Sequence, residues 1–138
     1  MITITRKLEF DAGHRLMKHE SKCANTHGHR YVVEVTATAP DLDAVGRVID
    51  FGVLKAELGT WLDDNWDHGF IYEKGDPIGD FLAVHDQRRF EVLWAPSAEN
   101  MALFLLKKFN EMMAHHNITI LLVKLWETPN CFAVATLD

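Results

Sequence analysis

The sequence predicts an α+β domain, with helices covering one face of an antiparallel sheet. Three observations lead there. Two stretches in the first forty residues alternate with a period of two. Two later stretches carry apolar stripes at helical spacing. The C-terminal part returns to strand-like runs.

In residues 2–14, Ile2, Ile4, Leu8, Phe10 and Ala12 share one face, with Thr3, Thr5, Lys7, Glu9 and Asp11 on the other. That is the pattern of a half-buried strand. Residues 15–26 are polar and irregular and read as a loop. Residues 27–38 alternate again, with Tyr31, Val33, Val35 and Ala37 on one face and Arg30, Glu34, Thr36 and Thr38 on the other. Asp50 suits a helix N-cap, and the stripe Phe51, Leu54, Leu58, Trp61 and Leu62 follows it. Residues 63–95 hold Gly69, Gly75, Pro77 and Gly79 and show no clear period beyond a short helical turn near Phe81. Ser97 suits the cap of a second helix with the stripe Met101, Phe104, Leu105, Phe109 and Met112. Closing strands over 118–127 and 131–137 flank the turn Thr128-Pro129-Asn130. The expected order is ββααββ.

The chain's 138 residues suit one domain spanning 1–138. Hydrophobic residues make up 48% and charged residues 25%, an ordinary balance for a soluble globular protein. The net charge of −6 comes without a basic face, which argues against general nucleic-acid binding. Cys23 and Cys131 do not make a disulfide framework. No apolar run approaches the roughly 18 residues of a membrane span, and the N-terminal residues lack a secretory h-region. These features lead to the expectation of a cytoplasmic protein with no membrane partner.

The alternation also places three histidines. His14 continues the apolar face of the first strand, while His27 and His29 begin that of the second. In an antiparallel hairpin the end of one strand meets the start of the other, so the three imidazoles converge. Three imidazoles with no fourth protein ligand are the pattern of a catalytic zinc site, whose open position takes water or substrate. The alternative is three histidines with unrelated hydrogen bonds, which the shared parity disfavours. His19, His85, His115 and His116 show no such placement and read as solvated side chains.

The segments Phe10-Asp11-Ala12-Gly13-His14-Arg15-Leu16 and Cys23-Ala24-Asn25-Thr26-His27-Gly28-His29 resemble the 6-pyruvoyltetrahydropterin synthase / 6-carboxytetrahydropterin synthase family. Further matches are Gly46-Arg47-Val48-Ile49-Asp50-Phe51 leading to Leu54-Lys55, Asp67-His68, Pro96-Ser97-Ala98-Glu99-Asn100 and Trp126-Glu127-Thr128. They occur in family order along nearly the whole chain. The resemblance implies the tunnelling fold, a four-stranded antiparallel sheet with two helices on one face. It also implies a homohexamer built from two trimers, with active sites at subunit boundaries. The short spacing from Cys23 to His27 resembles the bacterial 6-carboxytetrahydropterin synthases of the queuosine and 7-deazaguanine pathway.

Within that resemblance, His14, His27 and His29 would hold zinc, and Cys23 would be the proton-abstracting base. A thiol near a cation and an imidazole can be partly thiolate near neutral pH. Asp67 and His68 would form an acid–base pair reaching the site of a neighbouring subunit, although Trp66 stands where the family usually has leucine. Counting back by twos through Leu125, Val123 and Leu121, Glu127 ends an apolar strand face, where a carboxylate needs a partner. The side-by-side N–H donors of a pterin edge offer one. The resemblance adds Thr128 and Glu99 as supporting pterin contacts, while Glu99 also suits the first turn of its helix. Cys131 reads as core packing. Arg15, Lys18, Lys22 and Arg30 lie near the motifs without an assigned role.

The expected reaction converts 7,8-dihydroneopterin triphosphate to 6-carboxytetrahydropterin, acetaldehyde and triphosphate. A 6-pyruvoyltetrahydropterin synthase, which keeps the carbon chain, is the nearest alternative. A non-catalytic pterin- or zinc-binding module is the alternative of another class.

Overall fold

A computed structural model describes residues 1–138. Its strands are β1 (Ile4–His14), β2 (His27–Thr38), β3 (Gly69–Glu73), β4 (Arg89–Val92), β5 (Thr119–Thr128) and β6 (Cys131–Thr136). A continuous helical rod comprises α1 (Phe51–Leu54), a π segment (Lys55–Gly59) and α2 (Thr60–Asn65). Two further helices are α3 (Pro77–Val84) and α4 (Ala98–Met113). No helix is long and apolar enough to cross a membrane.

The α+β class holds, but the expected four-stranded antiparallel sheet does not. The sheet has six strands in the order β4-β3-β1-β2-β5-β6. β3 runs parallel to the end of β1, and β4 runs parallel to β3. Strands as short as β3 and β4 give too few alternations to read from sequence. Parallel neighbours need a crossover connection, and α3 supplies it. Asp76 caps α3 by accepting from the Ile78 amide at 2.9 Å, and Pro77 opens the helix.

The main core lies between the sheet and the two longer helical rods. Tyr31, Val33, Val35 and Ala37 are wholly buried on β2, as the alternation predicts. They meet Leu54, Leu58, Leu62 and Trp66 from the first rod and Met101, Leu105, Phe109 and Met113 from α4. Both stripes step by four residues. In an ideal α-helix such steps overshoot each turn by about 40°. The wider π segment offsets part of that drift in the first rod. The result departs from the predicted stripes at their ends: Phe51 is exposed, and Met113 rather than Met112 is fully buried. Both expected caps form. Asp50 accepts from the Gly52 amide at 2.7 Å and Ser97 from the Asn100 amide at 3.2 Å.

Pleating puts Ile71 into this core and Tyr72 on the opposite side of β3. α3 packs against Tyr72, so a helix also covers the second face of the sheet, contrary to the predicted one-sided arrangement. A Cβ at Gly79 would lie 2.1 Å from Tyr72 Cδ2.

Two irregularities interrupt β5. The β2–β5 register shifts between Thr36 and Ala37, passing over Leu121, so Ile120 rather than Leu121 is buried. The β5–β6 register shifts between Trp126 and Thr128, passing over Glu127. Cys131 opens the edge strand β6 and is exposed, not a core residue.

Replacing Gly79 by alanine should therefore destabilise the protein by about 1–3 kcal/mol through overpacking against Tyr72. Denaturant midpoints of the two forms measure the loss.

Candidate metal centre and substrate cleft

The β1–β2 register sets His14 opposite His27 and Ala12 opposite His29. All three imidazoles thus project from one face at one end of the hairpin. Ring centroids lie 4.6 Å apart for His14–His27, 5.1 Å for His14–His29 and 5.0 Å for His27–His29. One nitrogen from each ring falls within 4.8 Å of the others.

Hydrogen bonds fix the tautomers of two rings. His14 Nδ1 donates to the Pro96 carbonyl at 2.7 Å, and His27 Nδ1 donates to the Asn25 carbonyl at 2.7 Å. Each bond leaves Nε2 with a free lone pair. Nε2 of His14 and of His29 is buried with no hydrogen-bond partner within the chain. Buried polar atoms are normally satisfied, so such orphans call for an ion or a ligand. Burial lowers the pKa of His14 below the ordinary imidazole value, more than its Pro96 bond and Glu127 raise it. Burial lowers that of His29 in the same way, against the pull of Glu127. Both rings are thereby held in the neutral form that a metal requires. Three converging imidazoles suit a divalent ion such as zinc.

Tyr31 walls the centre, its ring 5.5 Å from His29 and 6.0 Å from His14. Its hydroxyl is buried without a partner. Burial, reinforced by Glu127, pushes its pKa well above the ordinary value and keeps it neutral. Tyr31 and the Pro96 carbonyl were missed from sequence. Tyr31 could have been found, because it lies two residues beyond His29 on the same face.

Glu127 Oε1 lies 3.6 Å from His29 Nε2. It also lines a cleft of about 480 Å³ with Glu99, Leu103 and Phe132. The structure thus brings Glu127 and Glu99 together. Thr128 lies on a second depression that His29 and Glu127 also line, and its Oγ1 accepts from the Asn130 amide at 3.2 Å.

Cys23 sits half-buried in a 3-10 turn over Lys22–Ala24, outside the cluster of three histidines. Asp67 and His68 pair with each other: His68 Nδ1 donates to Asp67 Oδ2 at 2.7 Å, and Asp67 Oδ1 accepts from the Asp11 amide at 2.9 Å. Burial opposes charge on Asp67, but these two donors prevail and hold its carboxyl below the usual range. The His68 side chain is 75% exposed and shares a shallow depression with Gly13, Gly28 and His29. Within one chain the ligand atoms of the dyad cluster with Asp11 and not with the three histidine rings.

The nearby cations are partly committed. Arg15 makes a forked bond to Asp76, and Arg30 pairs with Glu9 and Asp11. His115 and His116, expected as unrelated solvated residues, both turn toward Glu57.

A family profile described as 6-pyruvoyl tetrahydropterin synthase matches residues 3–137. The chain belongs to the 6-pyruvoyl tetrahydropterin synthase family. A relative from Rickettsia bellii, named 6-carboxy-5,6,7,8-tetrahydropterin synthase, is 43% identical over 135 residues, covering 96% of this chain and 98% of its own. Two solved structures share the family's architecture. The 6-pyruvoyl tetrahydropterin synthase of Caenorhabditis elegans has a TM-score of 0.73 at 25% identity, covering 99% of this chain and 96% of its own. A protein of Wolinella succinogenes has a TM-score of 0.87 at 21% identity, covering 99% and 98%, and supports the fold alone.

The buried imidazoles give the metal-free protein a signed pH response. Unfolding returns His14 and His29 to ordinary values near 6.5, so below that pH the unfolded chain binds more protons. Stability should therefore fall on acidification from about pH 7.5 to about pH 5.5. Thermal melts of the metal-free protein should show this, with a smaller decline in His14→Gln.

Proposed function

We propose that this protein is a zinc-dependent 6-carboxy-5,6,7,8-tetrahydropterin synthase. It would convert 7,8-dihydroneopterin 3'-triphosphate and water to 6-carboxytetrahydropterin, acetaldehyde and triphosphate. The observation that carries this reading is the convergence of three imidazoles, two with unpaired buried Nε2 atoms, beside the carboxylate of Glu127. The name of the Rickettsia bellii relative favours the carboxy product over the pyruvoyl one.

His14, His27 and His29 would hold the zinc, which when bound supplies Lewis-acid polarisation of side-chain oxygens. Glu127 accepts the side-by-side N–H donors of the pterin ring, with Glu99 across the same cleft and Thr128 on the second depression that Glu127 and His29 line. The ring is thereby oriented with its side chain toward the histidines. Cys23 removes a proton from the side-chain carbon. Asp67 orients His68 through their 2.7 Å bond, and His68 relays protons as triphosphate leaves and the carbon chain is cleaved.

The exposure of His68 suits service to a neighbouring subunit's site, in a homohexamer built from two trimers. The apolar side chains Phe132 and Val134, exposed on the edge strand β6, suit such assembly. The protein would act as one domain over 1–138, in the cytoplasm, in the queuosine pathway.

Zinc-loaded protein incubated with dihydroneopterin triphosphate should release acetaldehyde and a product with the mass of 6-carboxytetrahydropterin. A product that retains the full carbon chain would identify a pyruvoyl synthase instead. Zinc and pterin binding with no turnover would identify a binding module. Cys23→Ala should lower kcat by about 10²–10⁴-fold while zinc content stays unchanged. Glu127→Gln should raise KM by about 10- to 100-fold through loss of a charged hydrogen-bond acceptor.

A further inference from the structure

We propose that Arg15 and Asp76 are positioning residues that hold the turn carrying Cys23 in place relative to His14. The inference rests on the reading of Cys23 as the base and adds what fixes its location.

The turn over Lys22–Ala24 has little to hold it by itself. It buries no residue, and Ser21 at its start makes no side-chain capping bond. Two ties reach it from the end of β1. The Leu16 amide donates to the Cys23 carbonyl at 2.9 Å, and Arg15 Nη1 donates to the Ala24 carbonyl at 3.4 Å. Arg15 directly follows His14, so both ties start beside the metal centre.

Arg15 is itself held on the other side. Its Nε and Nη2 donate to Asp76 Oδ2 and Oδ1 at 2.7 and 2.6 Å. Asp76 is fully buried. It is fixed in turn by the Ile78 amide, which donates to its Oδ1 at 2.9 Å. Burial opposes charge on Asp76, but the Arg15 guanidinium and that amide outweigh it and lower its pKa. A forked pair on a buried carboxylate fixes direction as well as distance. The β3–α3–β4 unit thus has a use: it anchors the carboxylate against which Arg15 braces the turn. Lysine could neutralise Asp76 but could not fork to it and reach Ala24 in one rigid plane.

The test uses full-length zinc-loaded protein with Arg15→Lys and, separately, Asp76→Asn, which keeps the size of the helix cap. All forms carry Cys131→Ser, because Cys131 lines the Glu127 cleft and opens the strand proposed for assembly, and free glutathione in the same tube is the reference for thiol alkylation. In both variants the alkylation rate of Cys23 relative to glutathione should rise about 3- to 10-fold, and exchange of the Leu16 amide should quicken by a similar factor. Zinc should stay at one ion per histidine trio. kcat should fall about 10- to 100-fold with KM within about twofold, as expected for a misplaced base. Unchanged alkylation ratio and Leu16 exchange in a folded Arg15→Lys protein would overturn the proposal. So would loss of zinc, which would show that the pair acts through His14. If one variant does not fold, the other decides by the same two readouts. Alkylation and exchange need no pterin. Should the unmodified protein turn over no substrate while the variants loosen the turn, the proposed reaction fails and the bracing role stands.

Discussion

The antiparallel register of β1 and β2 is the constraint on which the rest of the structure depends. Pairing His14 with His27 and Ala12 with His29 puts three imidazoles on one face. A slip of one residue would turn each strand's alternating set to the opposite face. The register is secured away from the histidines, by Leu8, Phe10, Tyr31, Val33 and Val35 buried beneath the helical rods. The hydrophobic core therefore aims the polar centre. This link between packing and chemistry explains why the site needs few bonds of its own.

Burial does a second job at the same place. It makes a positive charge on His14 and His29 unfavourable and leaves their Nε2 atoms without partners. An unfilled hydrogen-bonding need is thereby built into the fold, one that an ion would meet. The Pro96 carbonyl settles which nitrogen of His14 faces inward. Pro96 immediately precedes Ser97, the cap of α4, so the start of that helix and the orientation of the His14 ring are set by one short stretch of chain.

What could be read from residues alone follows from strand length and regularity. β1 and β2 are long and cleanly alternating, so their faces, the hairpin and the three histidines were legible. The caps at Asp50 and Ser97 were legible because side-chain acceptors at helix starts have a direct physical role. β3 and β4 were not legible, since four or five residues carry too little periodicity and their parallel pairing depends on a crossover distant in sequence. In β5 the alternation misled at Leu121, because an irregularity shifts the phase without any local sequence mark. The convergence of His115 and His116 on Glu57 joins distant parts of the chain and leaves no periodic signal. Family resemblance supplied the roles proposed for Cys23, Asp67 and His68, whose surroundings in a single chain do not announce them.

The register shift at Glu127 separates two tasks that would otherwise be coupled. A residue locked into a ladder can be re-aimed only by disturbing its neighbours on both sides. Glu127 lies where the β5–β6 pairing is passed over, so its direction can drift while the strands on either side keep step. The ring contact proposed for Glu127 would thus be free to diverge over generations, adapting to altered heterocycles, while the geometry of the histidine-bearing hairpin stays fixed.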